Sequence, residues 1–250
     1  MNTDKFLTKL SRLASRQFNK VNACRLIAES YFNRVNRAEY AHPPFTAFNE
    51  RPVEYGFVFA AIAKYYPKRI LDIGTGITAL PHLMANCGCA VTAIDNIEDY
   101  WQDGMFNRHF LVLNDDIRDT KLTAKFDLVA CISTLEHIDR FNESVANMAK
   151  LLNPEGLLIL TFPYNEHEYQ DNAYALAGSN GLQQKAFKTH IYSRRELNNW
   201  CDKNGLEIIE QNYWQAFTGP YWSVGERIIP PQQVSKEQAH HLSCVLFKKL

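Results

Sequence analysis

Arg69-Ile70-Leu71-Asp72-Ile73-Gly74-Thr75-Gly76 is the stretch that decides the fold. A short apolar run ends in two glycines. Glycine lets the backbone turn tightly there and approach a ligand without a Cβ clash. Helical text follows from Thr78 to Cys87. The first free N–H groups of that helix, and its positive dipole end, would face the same loop. Strand, glycine loop and helix in that order open an α/β unit.

The pattern continues on the C-terminal side. Strand candidates follow at Ala90–Asp95, His109–Asp116, Phe126–Ser133 and Leu157–Phe162. A helix is expected from Asn142 to Leu152, closed by the turn Asn153-Pro154-Glu155-Gly156. Another spans Ser193 to Gly205, with Ser193 as N-cap, Glu196 at the capping-box position and Gly205 as the stop. Leu206–Trp214 and Leu242–Leu250 read as two more strands, giving seven in all. Strands rich in Val, Ile and Leu on both faces, alternating with helices, predict a doubly wound, mostly parallel sheet covered on both sides. Two long segments, Pro163–Thr189 and Gln215–His240, fit no minimal α/β unit. Loops of that length carry function or structure of their own. Trp214, just before the second segment, and Phe217, Tyr221 and Trp222 within it read either as an acceptor-pocket wall or as core.

On the N-terminal side, residues 1–40 read as helix, with Phe6, Leu10, Leu13, Phe18, Val21 and Ile27 at helical spacing. Lys5, Lys9, Arg12, Arg16 and Lys20 recur on another face. That face suits either an anionic partner or plain solvation. Ala41-His42-Pro43-Pro44 breaks the helix, and a second runs from Pro52 to Tyr66. The expected division is an N-terminal helical cap over 1–66 and a ligand-binding domain over 67–250.

Composition narrows the function. The 250 residues are 46% hydrophobic and 22% charged, with 27 basic and 27 acidic side chains. A zero net charge gives no field to gather nucleic acid, and no such partner is expected. No run approaches the ~20 apolar residues of a membrane span, and the start carries no signal-peptide pattern. Six cysteines at scattered spacing are too sparse for a disulfide framework, so a cytoplasmic protein with free thiols is expected. No metal-ligand spacing is present.

The glycine loop alone also fits a dinucleotide fingerprint, since Gly74-x-Gly76-x-x-Ala79 has the G-x-G-x-x-A form. The acids separate the readings. Asp72 stands two residues before the first glycine, where it would repel a pyrophosphate but attract a cation. Asp95 ends the second strand candidate, 23 residues later, where an acid can accept both ribose hydroxyls. Asp116 ends the third, 21 residues further on, where it can accept from an exocyclic amine. Together they describe a ligand with a cationic end, a ribose and an amino-purine.

These residues, with Asp116-Ile117, the stretch FDLVACISTLEHI and the NPEG turn, resemble class I S-adenosylmethionine-dependent methyltransferases from about Arg69 to Leu250. The resemblance implies a Rossmann-like, seven-stranded sheet, parallel except for its last strand, and S-adenosylmethionine as cofactor. It implies that Asp72, Gly74, Thr75 and Gly76 contact the methionyl part, that Asp95 with Asn96 binds the ribose, and that Asp116 meets the adenine amine while Ile117 packs on the ring. Ser133 and Glu136 would lie between the methionyl moiety and the acceptor entrance. Thr78 stands where the family often has a third glycine.

The expected reaction is methyl transfer to O or N of a small-molecule or glycan-precursor acceptor. A hydroxyl acceptor wants a base, for which His137 and His167 are the candidates, with His190 a third that reads equally well as structural. The resemblance also suggests that the N-terminal helices cover the acceptor mouth. Two other readings stand beside this one: a cofactor-binding scaffold without activity, and a nicotinamide-dependent oxidoreductase, against which Asp72 argues.

Overall fold

The computed structural model describes residues 22–38, 41, 49–101, 104–180 and 188–250. The chain divides into two compact units, Met1–Phe48 and Asn49–Leu250. In the first, residues 22–38 form a helix, α1. The basic face expected on residues 5–20 lies outside the described residues.

The second unit begins with α2 (Arg51–Tyr65), started by Pro52 and ended by Tyr66 in the left-handed region. The expected boundary at 66/67 therefore moves to 48/49. The cause is packing: Phe57, Val58, Ala61 and Ile62 of α2 are buried in one core with strand residues Ile70, Leu128, Ala130 and Ile159.

Eight strands form one sheet: β1 (Arg69–Ile73), β2 (Ala90–Asp95), β3 (Val112–Asn114), β4 (Phe126–Ile132), β5 (Leu152–Pro163), β6 (Leu206–Phe217), β7 (Arg227–Val234) and β8 (Leu242–Lys249). Their order is β3-β2-β1-β4-β5-β8-β6-β7. The first five in that order run parallel. β8 inserts antiparallel between β5 and β6. The seven expected strands are present, and β7 is the eighth. It pairs antiparallel with β6 at the sheet edge. Its sequence, RIIPPQQV, lacks alternation and holds two prolines. Proline cannot donate to a ladder and is tolerated on an edge, which is why this strand escapes pattern reading.

Helices α3 (Leu80–Asn86), α5 (Phe141–Leu151) and α6 (Arg194–Asn204) complete the layers, with the single turn α4 (Ile97–Tyr100) after β2. α6 begins and ends as its sequence predicts. Glu196 accepts from the backbone N–H of Ser193 at 3.0 Å and from its hydroxyl at 2.6 Å, and Gly205 stops the helix at φ 60°. One sheet face packs Val145, Met148, Leu197 and Trp200 of α5 and α6; the opposite face packs α2 and α3. The two long segments, with Ile191 and Leu242 just beyond them, make a third, smaller core in which these two residues pack with Ala173, Ala216, Phe217 and Trp222. The segments are stitched together where Asn180 N–H meets the Ser223 carbonyl at 2.7 Å. Phe217 and Trp222 are thus core residues of this lobe and not a pocket wall.

Candidate active site

β1, β2 and β3 are neighbouring parallel strands, so their carboxyl ends deliver Asp72, Asp95 and Asp116 to one edge of the sheet. That edge is where open α/β sheets bind ligands. Asp72 is buried, and its Oδ2 accepts from Thr75 Oγ1 at 2.7 Å. Burial pushes its carboxyl up to about 7, against the pull of the Thr75 hydroxyl. A cation brought to this carboxyl would restore its charged form.

The glycines serve two different ends. Gly74 has φ 69°, and a Cβ there would lie 2.1 Å from Thr134 Cγ2. Its missing side chain lets the loop touch the turn after β4. Gly76, at φ 54°, would set a Cβ 3.6 Å from the Trp101 ring. Its N–H donates to Asp95 Oδ2 at 2.7 Å, which ties the loop to the end of β2. The other Asp95 oxygen accepts from Trp101 Nε1 at 2.9 Å. Thr78, in the place of a third glycine, donates to the Thr75 carbonyl at 2.9 Å and closes the turn.

Asn96 donates to Asp116 Oδ2 at 3.0 Å, joining the next two predicted residues. Burial raises the Asp116 carboxyl, but bonds from Arg118 outweigh it and hold the group below the usual carboxylate range. Arg118 Nε reaches both Asp116 oxygens, at 3.0 and 2.8 Å. Ile117 is buried in the larger core. Ser133 has φ 44°, and its N–H donates to the Thr161 carbonyl at 3.1 Å. Glu136 is buried on the short turn Leu135–His137, and its Oε2 finds no hydrogen-bond partner among the described residues. Burial pushes this carboxyl up to about 8.

The three histidines separate. His137 Nδ1 lies 2.9 Å from the Lys188 carbonyl, directly after Glu136. His190 is buried; its N–H donates to the Glu136 carbonyl at 2.9 Å, and Nδ1 lies 2.9 Å from the Tyr169 hydroxyl. Burial lowers its basicity, so it supports the turn as a neutral ring. His167 is exposed, lies near His240, and its backbone N–H donates to Asn165 Oδ1 at 3.0 Å.

Four residues enter the site without having been expected there. Arg51 and Tyr55, from α2, line a small hollow with Asp72, Gly74, Thr75 and Thr78. Trp101 covers Gly76. Asn107 donates to the carbonyls of Gly76 and Thr78, both at 2.8 Å, and accepts from the N–H groups of His109 and Phe110. Asn107 had no periodic signal, because it lies in irregular chain between α4 and β3. The sequence showed α2 as a helix from Pro52 but carried no sign that its first turns would bring Arg51 and Tyr55 to the glycine loop.

The donor set fits S-adenosylmethionine. Asp72 is a buried acid lining the hollow at the glycine loop, Asp95 presents a carboxylate beside a bare Gly76 backbone, and Glu136 has a buried oxygen without a partner among the described residues. The hollow at Arg51 and Asp72 measures about 20 Å³, room for one water, so a larger group needs side-chain movement.

A methyltransferase domain family matches residues 48–211. The chain belongs to that family. This methyltransferase is 27% identical over 191 residues to a ubiquinone biosynthesis O-methyltransferase of Haemophilus ducreyi, covering 68% of this chain and 79% of that protein. It is 26% identical over 216 residues to the protein of the same name from Bartonella tribocorum, covering 82% and 83%. Among solved structures, it resembles the Burkholderia thailandensis 1,6-didemethyltoxoflavin-N1-methyltransferase, with its bound 1,6-didemethyltoxoflavin and S-adenosylhomocysteine. The TM-score is 0.51 at 16% identity, with 94% of this chain and 89% of that one covered. That likeness speaks for the fold. With membership of a methyltransferase family the nicotinamide reading falls away. No helix among the described residues is long and apolar enough to cross a membrane.

Proposed function

We propose that this methyltransferase acts on a small organic acceptor, at a hydroxyl or amine, and that the carboxyl edge of β1 to β3 holds its cofactor. The observation that carries the reading is the set of three acids on three adjacent parallel strands around one glycine loop. S-adenosylmethionine, when bound, supplies a methyl group made electrophilic by its sulfonium. The protein's part is alignment, which is mainly proximity catalysis.

In this reading Asp72, charged when a cation is near, holds the methionyl ammonium, and Thr75 orients it. Arg51 is the one cation lining the hollow among the described residues, and it takes the methionyl carboxylate. Asp95 exchanges the Trp101 N–H for ribose hydroxyls, and Asn96 steadies Asp116 toward the adenine amine. Gly74 and Gly76 give the backbone its approach, Ile117 backs the adenine from the core, and Ser133 closes the methionyl end. Glu136 faces the acceptor side. Of the two proposed bases, His137 has the better position, because it adjoins Glu136, while His167 is exposed elsewhere. The names of the relatives favour a hydroxyl acceptor. Six free cysteines suit a reducing compartment such as the cytoplasm.

The test is calorimetric titration with S-adenosylhomocysteine, with NAD in parallel and Asp95→Ala as control. Micromolar binding of S-adenosylhomocysteine that is lost in the variant is expected. Undiminished binding by Asp95→Ala would remove the ribose site from this sheet edge. With an acceptor in hand, His137→Ala should lower kcat at least tenfold and His167→Ala should leave it unchanged; the reverse would exchange their roles.

A further inference from the structure

We infer that Glu54 is a positioning residue for cofactor binding: from the middle of the core it fixes where the Arg51 guanidinium stands over the glycine loop. This rests on the site reading above. Glu54 is 0% exposed. A carboxylate is almost never buried so completely unless it is fully engaged. Here it is engaged on both sides, and its two oxygens divide the work. Oε1 accepts from Thr161 Oγ1 at 2.7 Å and from the Ser133 hydroxyl. Oε2 accepts from Arg51 Nη1 at 2.9 Å.

These partners lie on three elements. Thr161 is in β5, Ser133 follows β4, and Arg51 opens α2. One oxygen therefore anchors the helix to the strand ends, and the other aims a cation from that anchor. Ser133 is a non-glycine residue in the left-handed region, a backbone state that surrounding bonds must hold. Thr161 supplies two of those bonds and Glu54 a third. An apolar side chain of similar size would fill the same space, and a buried ion pair is weak evidence for stability. What an apolar residue cannot do is hold the guanidinium in place. Arg51 uses one N–H on Glu54, and a guanidinium has five, so it can grip a second carboxylate while Glu54 keeps its direction.

The experiment compares two ligands on the full-length protein. S-adenosylhomocysteine has the amino-acid end that Arg51 would hold; 5′-methylthioadenosine shares the nucleoside and thioether but lacks that end. Glu54→Gln keeps the shape and an acceptor oxygen while losing the charge opposite Arg51. It is expected to weaken S-adenosylhomocysteine about tenfold and to leave 5′-methylthioadenosine within twofold. Arg51→Gln should give the same selective loss, and the double variant should be no worse than the stronger single one, since the two act as a unit. An equal loss for both ligands would make Glu54 merely structural, and no loss for either would give it no part in binding; both overturn the inference. If Glu54→Gln does not fold, Glu54→Asp, which keeps the charge and shortens the reach to Arg51, carries the same comparison with the same readings. Wild-type protein that binds neither ligand would overturn the cofactor site and this inference together. Wild-type binding lost in Asp95→Ala but unaltered in Glu54→Gln would overturn this inference alone.

Discussion

Asp72, proposed above to hold the ammonium end of the cofactor, works against the fold that carries it. Its carboxyl, about 7 in the folded chain, has an ordinary value of 3.8. A carboxyl raised on folding contributes stability fully below the lower value, and that contribution is lost as pH rises through the higher one. Asp72→Asn keeps an acceptor for Thr75 and removes the titration. It should therefore stabilise the protein more at pH 8 than at pH 4, by about 1–3 kcal/mol, in urea denaturation at the two pH values. A gain over wild type that is the same at both pH values would mean that Asp72 titrates normally. The same shift predicts proton release when a cationic ligand binds at pH 6, seen as a calorimetric enthalpy that depends on the buffer. Asn107 is the opposite case, a residue that serves site and stability together. Asn107→Ala leaves the Gly76 and Thr78 carbonyls without their donor and should cost about 1–3 kcal/mol. Binding of S-adenosylhomocysteine should weaken with it. Asp72 was legible because an acid before a glycine loop is a chemical anomaly in a strand. Asn107 was not, because its meaning lies in four bonds across the fold.

At the scale of elements, regular spacing was readable and pairing was not. β1, β2, β4 and β5 announced themselves as apolar runs, and α6 through Ser193, Glu196 and Gly205. Its cap can be tested directly: Glu196→Ala should lower stability by about 1 kcal/mol, read as a drop in Tm. An unchanged Tm would mean that the Ser193 bonds add nothing. β7 failed the pattern because an edge strand needs neither a buried face nor every N–H, so prolines and glutamines suffice there. α2 looked detachable, since sequence carries its amphipathic face but not the surface that receives it. That surface is the sheet itself, and with it came Arg51 and Tyr55. The boundary error and the missed cation thus have one cause.

For the unit from Asn49 to Leu250, three cores imply three degrees of independence. The lobe core around Trp222 is small and built from irregular chain, so it should open more readily than the two that sandwich the sheet. Trp222→Ala should speed amide exchange in residues 165–180 and 218–226 while leaving β1 and β4 protected. Faster exchange throughout would merge the lobe with the main cores.

The placement of β8 also sets an order on biosynthesis. β5 and β6 are never neighbours; residues 242–249 lie between them and bond to both. While a ribosome is still adding those residues, the nascent chain holds two open strand edges in what will become the middle of its sheet. Such edges recruit other chains. A chain cut short before Leu242 would still contain Asp72, Asp95 and Asp116, yet be prone to aggregate before it could use them.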